Sequence, residues 1–282
     1  MTEDWQSGFI EANGIRLHYT RTGGDKPPLV LAHGVTDDGL CWSPVARALA
    51  PEYDVIMVDA RGHGHSDAPE GGFGPTEQAV DLAGVITNLG LERPAVLGHS
   101  MGAATTLVLA GTHPDVPGAI LLEDPPAWWT RRSDTPAARE RRVAMRERAL
   151  SLKRKTREEL IAGQRAEQPG WSDAELEPWG DAKQRFSLSV LSVYDQDNAA
   201  SVDWWVLMRC ITCPTLLITA DPERGAIVTD TSGAALKALV PQLEIAYVRG
   251  AGHNIRRDQF TRYMDVVRRF LTHQQEQRRI AS

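Results

Sequence analysis

The run Gly98-His99-Ser100-Met101-Gly102 carries a serine with a glycine two positions to either side. A short apolar stretch, Ala95-Val96-Leu97, precedes it, and a segment rich in Ala, Thr, Leu and Val follows as far as Ala110. A strand that turns abruptly into a helix lifts one residue clear of the backbone. Side chains at the two glycine positions would clash in so tight a turn. A serine hydroxyl raised this way is inert near neutral pH until a base takes its proton. Such chemistry needs a histidine within hydrogen-bond reach of Ser100, a carboxylate to orient that histidine, and donors for the oxyanion.

The chain offers eight histidines. His18 falls in a predicted hairpin, His113 at a helix end before Pro114, and His273 in a charged C-terminal helix; all three read as surface residues. His63 and His65 belong to Asp59-Ala60-Arg61-Gly62-His63-Gly64-His65-Ser66-Asp67. That loop superficially suggests nucleotide binding, but it lacks the third glycine and following helix of the dinucleotide fingerprint. His99 sits in the serine turn itself, where its side chain is expected to point away from Ser100. His253 lies in Gly250-Ala251-Gly252-His253-Asn254, a glycine-rich loop at the end of the last predicted strand. The strand ends of a parallel sheet share one edge, so His253 and Ser100 can meet across a long sequence separation. His253 is therefore read as the general base.

The elements that must hold these residues are legible as patterns. Phe9–Ala12 and Ile15–Tyr19 flank Asn13-Gly14, the strongest two-residue hairpin signal, because both central positions want positive φ. Continuous apolar runs follow at residues 29–32, 55–58, 95–97, 119–122 and 216–218, with a weaker one at 245–248. Runs without alternation indicate strands covered on both faces. Helix-like segments at 43–50, 76–89, 101–112, 231–240 and 258–274 separate them. The alternation predicts an α/β fold: a mostly parallel central sheet flanked by helices, with the N-terminal hairpin as an antiparallel edge.

No apolar strand run occurs from Pro125 to about Arg209. This stretch is read as an inserted helical cap (125–209) over the strand C-termini, dividing a core made of 1–124 and 210–282. Its basic stretches at 139–148 and 153–157 are interleaved with Glu140, Glu147, Glu158 and Glu159, the pattern of a solvated helix face. Trp128, Trp129, Trp171, Trp179, Trp204 and Trp205 either pack the cap or line an apolar pocket. Cys210-Ile211-Thr212-Cys213 has C-x-x-C spacing, yet no second Cys/His pair completes a zinc site and the pair leads into Pro214 and a strand. It reads as two half-buried thiols, so no metal and no cofactor are expected.

Composition bounds the partners. At 42% hydrophobic and 24% charged the chain is globular in type, and a net charge of −6 argues against nucleic acid. The acidic start, Met1-Thr2-Glu3-Asp4-Trp5, lacks the basic and apolar regions of a signal peptide. No apolar run approaches the roughly 18 residues that span a bilayer. The expectation is a cytoplasmic protein acting on a small molecule.

Four motifs in order, each after its strand, make the chain resemble the α/β-hydrolase fold family over nearly its whole length. They are His33-Gly34-Val35, residues 59–66 quoted above, Gly98–Gly102, and Gly250-Ala251-Gly252-His253. The resemblance implies Ser100 as nucleophile, His253 as base, and the backbone N–H groups of Met101 and Val35 as the oxyanion hole. The usual family position for the acid, in the loop after the strand that follows the cap, holds Glu223; Asp221 comes too early. Certain dehalogenases and zearalenone-type lactonases of the family instead carry the acid after the strand that follows the nucleophile helix. Here that strand ends Leu121-Leu122-Glu123-Asp124-Pro125-Pro126. Asp124 is favoured, stiffened by the two prolines, with Glu223 as the alternative and Asp221 or Glu123 behind it. A serine nucleophile argues against the haloalkane dehalogenase and epoxide hydrolase reactions, which need a carboxylate. The resemblance thus implies a serine hydrolase of an apolar or aromatic ester or lactone. Hydrolysis of a carbon–carbon bond, perhydrolysis, and a non-catalytic receptor are the alternatives.

Overall fold

The computed structural model describes residues 5–130, 135–195 and 202–281. Eight strands form one sheet: β1 (Gln6–Ala12), β2 (Ile15–Arg21), β3 (Pro28–Ala32), β4 (Asp54–Val58), β5 (Ala95–His99), β6 (Ala119–Glu123), β7 (Thr215–Thr219) and β8 (Leu243–Tyr247), in the order β1-β2-β4-β3-β5-β6-β7-β8. Strands β3 to β8 run parallel, and the β1–β2 hairpin is antiparallel at one edge. Asn13 and Gly14 turn that hairpin with φ of 50° and 76°.

Strands β4 to β7 are buried along their whole length, as apolar runs without alternation require. Alternate residues feed two cores on opposite faces. Val30 and Ala32 join the layer beneath α2 (Pro75–Asn88) and α3 (Met101–Thr112), while Leu29 and Leu31 join the layer beneath α1 (Ser43–Leu49) and α10 (Phe260–Ala281). The buried stripe of α10, Tyr263, Met264, Val267, Phe270 and Leu271, has the spacing of one helical face.

Between β6 and β7 lie α4 (Pro136–Lys153), α5 (Arg157–Glu167), α6 (Asp173–Arg185) and α7 (Trp204–Arg209). Residues 131–134 and 196–201 of the expected cap lie outside the described residues. The helix α4 is largely exposed, in keeping with its charge pattern. By contrast, α7 packs into the core: Trp204, Leu207 and Met208 join the α2–α3 layer. The remaining helices are α8 (Asp230–Leu239) and the short α9 (Ile255–Asp258).

Two sequence expectations are corrected. His18 is buried, because its imidazole Nδ1 meets the Asp59 carboxylate at 2.9 Å beneath the 59–67 loop. The thiols at 210 and 213 are unequal rather than both half-buried: Cys210 is exposed at the end of α7, and Cys213 is buried ahead of β7. Among the described residues no cluster of His, Cys, Asp or Glu has the makings of a metal site, and no helix is long and apolar enough to cross a membrane.

Candidate active site

Ser100 stands between β5 and α3 with φ 53° and ψ −113°, outside the ordinary range for an L-residue. The glycines permit this. A Cβ on Gly98 would lie 2.3 Å from the Gly102 carbonyl oxygen, and one on Gly102 would lie 2.2 Å from that of Ala32. Two backbone bonds lock the turn to its neighbours: Ser100 N–H donates to Glu123 O and Gly102 N–H to His33 O, each at 3.0 Å. Held this way, Ser100 Oγ lies 3.0 Å from His253 Nε2.

The other imidazole nitrogen, His253 Nδ1, lies 2.6 Å from Asp124 Oδ2. Asp124 is fully buried and has φ 43°, a left-handed conformation that turns its side chain back at the tip of β6. Its carboxylate also accepts the backbone N–H groups of Ile227 and Val228, at 2.8 Å and 2.9 Å. A carboxylate in this role accepts only, so Nδ1 carries the proton and Nε2 presents its lone pair to the serine hydroxyl. The structure thus brings Ser100, His253 and Asp124 into one line of hydrogen bonds.

The other carboxylates go elsewhere. Glu223 is exposed in the turn Pro222–Arg224. Asp221 accepts from Tyr247 Oη and from Gly250 N–H, which anchors the start of the His253 loop. Glu123 is fully buried and is held by Arg256 through its backbone N–H at 2.9 Å and its guanidinium at 3.1 Å.

The two expected oxyanion donors face the same edge. Met101 is the first residue of α3, where backbone N–H groups have no partner within the helix. Val35 lies in the turn after β3, which is pinned from several sides. The Gly34 carbonyl accepts from His33 Nδ1 at 2.9 Å and from Asp37 N–H at 3.0 Å, and the Val35 carbonyl lies 2.7 Å from His63 Nε2. Because C=O and N–H point in opposite directions across a trans peptide, fixing the Gly34 carbonyl fixes the direction of the Val35 N–H. Burial, with a smaller contribution from His63, lowers His33 to about 4, so it stays neutral and its Nε2 accepts the Ala60 N–H. His99 packs beside His253 at 4.8 Å between ring centroids, and its Nε2–H donates to the His253 carbonyl at 3.0 Å. Its burial and the nearby Arg256 hold it far below the usual imidazole value, so it too is neutral.

Sequence reasoning missed a buried charged cluster behind this site. Asp37 is met by Lys183 at 2.7 Å, Arg257 at 3.1 Å and Arg256 at 3.3 Å; Arg257 also meets Glu175 at 3.2 Å. Burial pushes Asp37 up, but Arg257, Lys183 and Arg256 outweigh it and hold the carboxyl well below its ordinary value. The guanidinium of Arg256 lies 4.1 Å from the centroid of the buried Trp42 ring. Only the placing of two arginines directly after His253-Asn254-Ile255 signalled any of this.

The model of the alpha/beta hydrolase family matches residues 29–266, and the chain belongs to that family. It is 29% identical over 269 residues to an N-formylmaleamate deformylase of Pseudomonas putida, covering 94% of this chain and 96% of that protein. Among solved structures it resembles a thermophilic esterase from Thermogutta terrifontis (26% identity, TM-score 0.71, 95% of this chain and 99% of that one). An enol-lactonase from Burkholderia xenovorans is similar at 25% identity and TM-score 0.70, over 94% of this chain and all of that one.

Proposed function

We propose that the protein cleaves a carboxylic ester or lactone through an acyl-enzyme, with Ser100 as nucleophile, His253 as general base and Asp124 as the acid that orients it. The observation that carries this reading is the line of bonds from Ser100 Oγ to His253 Nε2 at 3.0 Å and from His253 Nδ1 to Asp124 at 2.6 Å. Ser100 Oγ attacks the carbonyl carbon as its proton passes to His253 Nε2. The oxygen of the tetrahedral intermediate takes its negative charge opposite the N–H groups of Met101 and Val35. Collapse expels the alkoxide, which takes the proton from His253. Water then attacks the acyl-enzyme with His253 as base again, releasing the acid and restoring Ser100. The imidazolium formed in each step is stabilised by the Asp124 carboxylate that accepts its Nδ1–H.

The substrate is a small molecule with an apolar or aromatic part. Ile227, exposed and bonded through its backbone N–H to the Asp124 carboxylate, supports this as an apolar residue beside the triad. The helical insertion serves as the cap, since α6 bonds to the turn after β3 and to α9, and the turn that follows it bonds to the loop after β4.

The near-full-length relative favours a second reading. Its name describes removal of an N-formyl group, an acyl transfer in which His253 would protonate a nitrogen leaving group instead of an oxygen. A panel of p-nitrophenyl esters, lactones and N-formyl amides, ranked by kcat/KM, separates the two. Mass analysis after a p-nitrophenyl alkylphosphonate is expected to find the adduct on the peptide containing Ser100. Folded protein that takes no label contradicts a serine mechanism, and ligand-induced thermal stabilisation without turnover of any compound points to a receptor instead.

A further inference from the structure

One buried cation of the insertion touches the backbone of the turn that carries Val35. Lys183, on α6, is 1% exposed, and its Nζ donates to the Thr36 carbonyl at 2.8 Å and to Asp37 Oδ1 at 2.7 Å. The ammonium also sits 4.7 Å from the centroid of the Trp179 ring on the same helix. Burying a long cationic side chain is costly unless each of its protons finds a partner, and these three contacts supply them.

The consequence runs through two peptide planes. Lys183 holds the oxygen end of the 36–37 peptide, and the N–H end of that same peptide, on Asp37, donates to the Gly34 carbonyl at 3.0 Å. The Gly34 carbonyl belongs in turn to the peptide whose N–H is that of Val35. Each plane is rigid, with C=O and N–H opposed. The direction of the Val35 N–H is thereby tied to a lysine on the insertion, far along the chain.

We propose that Lys183 is a positioning residue for the oxyanion donor Val35, so that the insertion contributes to the chemical step as well as covering the site. This rests on the serine-hydrolase reading above. The same helix makes a second tie that serves as an internal control: Arg185 donates to the Asp38 carboxylate at 2.8 Å without touching a backbone group of the turn. If α6 mattered only as an anchor, loss of either tie would act alike. If Lys183 orients the turn, only its loss would reach the transition state.

The test compares Lys183→Met, which keeps most of the stem but removes the donors, with Arg185→Gln. Both are assayed as folded protein, checked by thermal melting, using p-nitrophenyl acetate and a p-nitrophenyl alkylphosphonate. Phosphonylation of Ser100 builds negative charge on the phosphoryl oxygen in the same donors, so its rate reads the oxyanion hole directly. Lys183→Met is expected to lower kcat and the phosphonylation rate together by roughly ten- to a hundredfold, with KM within about threefold, below the loss from removing a donor outright. Arg185→Gln is expected to leave both rates within about twofold. Equal losses in the two variants, or a raised KM with unchanged phosphonylation in Lys183→Met, overturns the assignment. Wild-type protein that is not phosphonylated at Ser100 overturns the hydrolase reading and this inference with it. Should Lys183→Met not fold, Lys183→Gln with the same two rates decides the matter.

Discussion

Two buried aspartates, one within the site and one behind it, are held by opposite means. Asp124 meets neutral donors, two backbone N–H groups and one imidazole, so no fixed positive charge sits on it. Asp37 is surrounded by Lys183, Arg256 and Arg257. A carboxylate compensated by permanent cations has little left to give to a charge that appears transiently. One held by amide dipoles stays oriented and still responds fully when His253 takes a proton. The same residue type, equally out of solvent, is a structural counter-ion in one place and the proposed partner of a general base in the other.

That contrast breaks most visibly under substitution. Asp124→Asn is expected to lower kcat by about 10⁴-fold, because an amide in its place no longer selects the tautomer that offers Nε2 to the serine. Steady-state kinetics on the best ester of the panel checks it, and a loss below tenfold contradicts the role. Asp37→Asn is expected to act on stability first. It leaves three buried cations short of a counter-charge, a loss of about 3–5 kcal/mol, read as a fall of roughly 10 °C or more in Tm. Its kcat per folded molecule should fall far less than that of the Asp124 variant.

The turn between β3 and Asp37 carries a pH signature of its own. His33 is near 4 when folded against about 6.5 when free, so the folded state binds its proton more weakly than the unfolded chain does. Its contribution is therefore complete above about pH 6.5 and is lost as pH falls through 4, roughly 3 kcal/mol in all. Urea midpoints measured from pH 7 to 4 should fall steeply in the wild type and less steeply in His33→Gln. Parallel slopes would remove His33 from that account. The smallest effect expected is that of Glu223→Gln, within about twofold in kcat, because that side chain is exposed in the turn Pro222–Arg224.

The ease of reading these regions from sequence follows the distances involved. The serine turn is local: Gly98 and Gly102 are required by clashes within a few residues, and the strand and helix beside it show as apolar runs. The parallel strands β3 to β7 are legible for the same reason, since both-face burial leaves continuous apolar stretches, whereas the β1–β2 hairpin shows through its Asn13-Gly14 turn. Asp124 was harder, because its left-handed backbone and its partners Ile227 and Val228 arise only when β6 and the loop after β7 come together. The Asp37 cluster was not legible. It draws on the turn after β3, on α6 and on α9, and charged residues in sequence look the same whether they face water or one another. His18 was misjudged on similar grounds, its burial depending on a loop some forty residues away.

The central claim, that Asp124 holds the Nδ1 proton of His253, can be observed without any substrate. A short, buried N–H···O bond to a carboxylate shifts its proton far downfield in the ¹H NMR spectrum. One such resonance is expected in the wild type, retained in Glu223→Gln and absent from Asp124→Asn. A resonance that survives in Asp124→Asn and disappears in Glu223→Gln would contradict it.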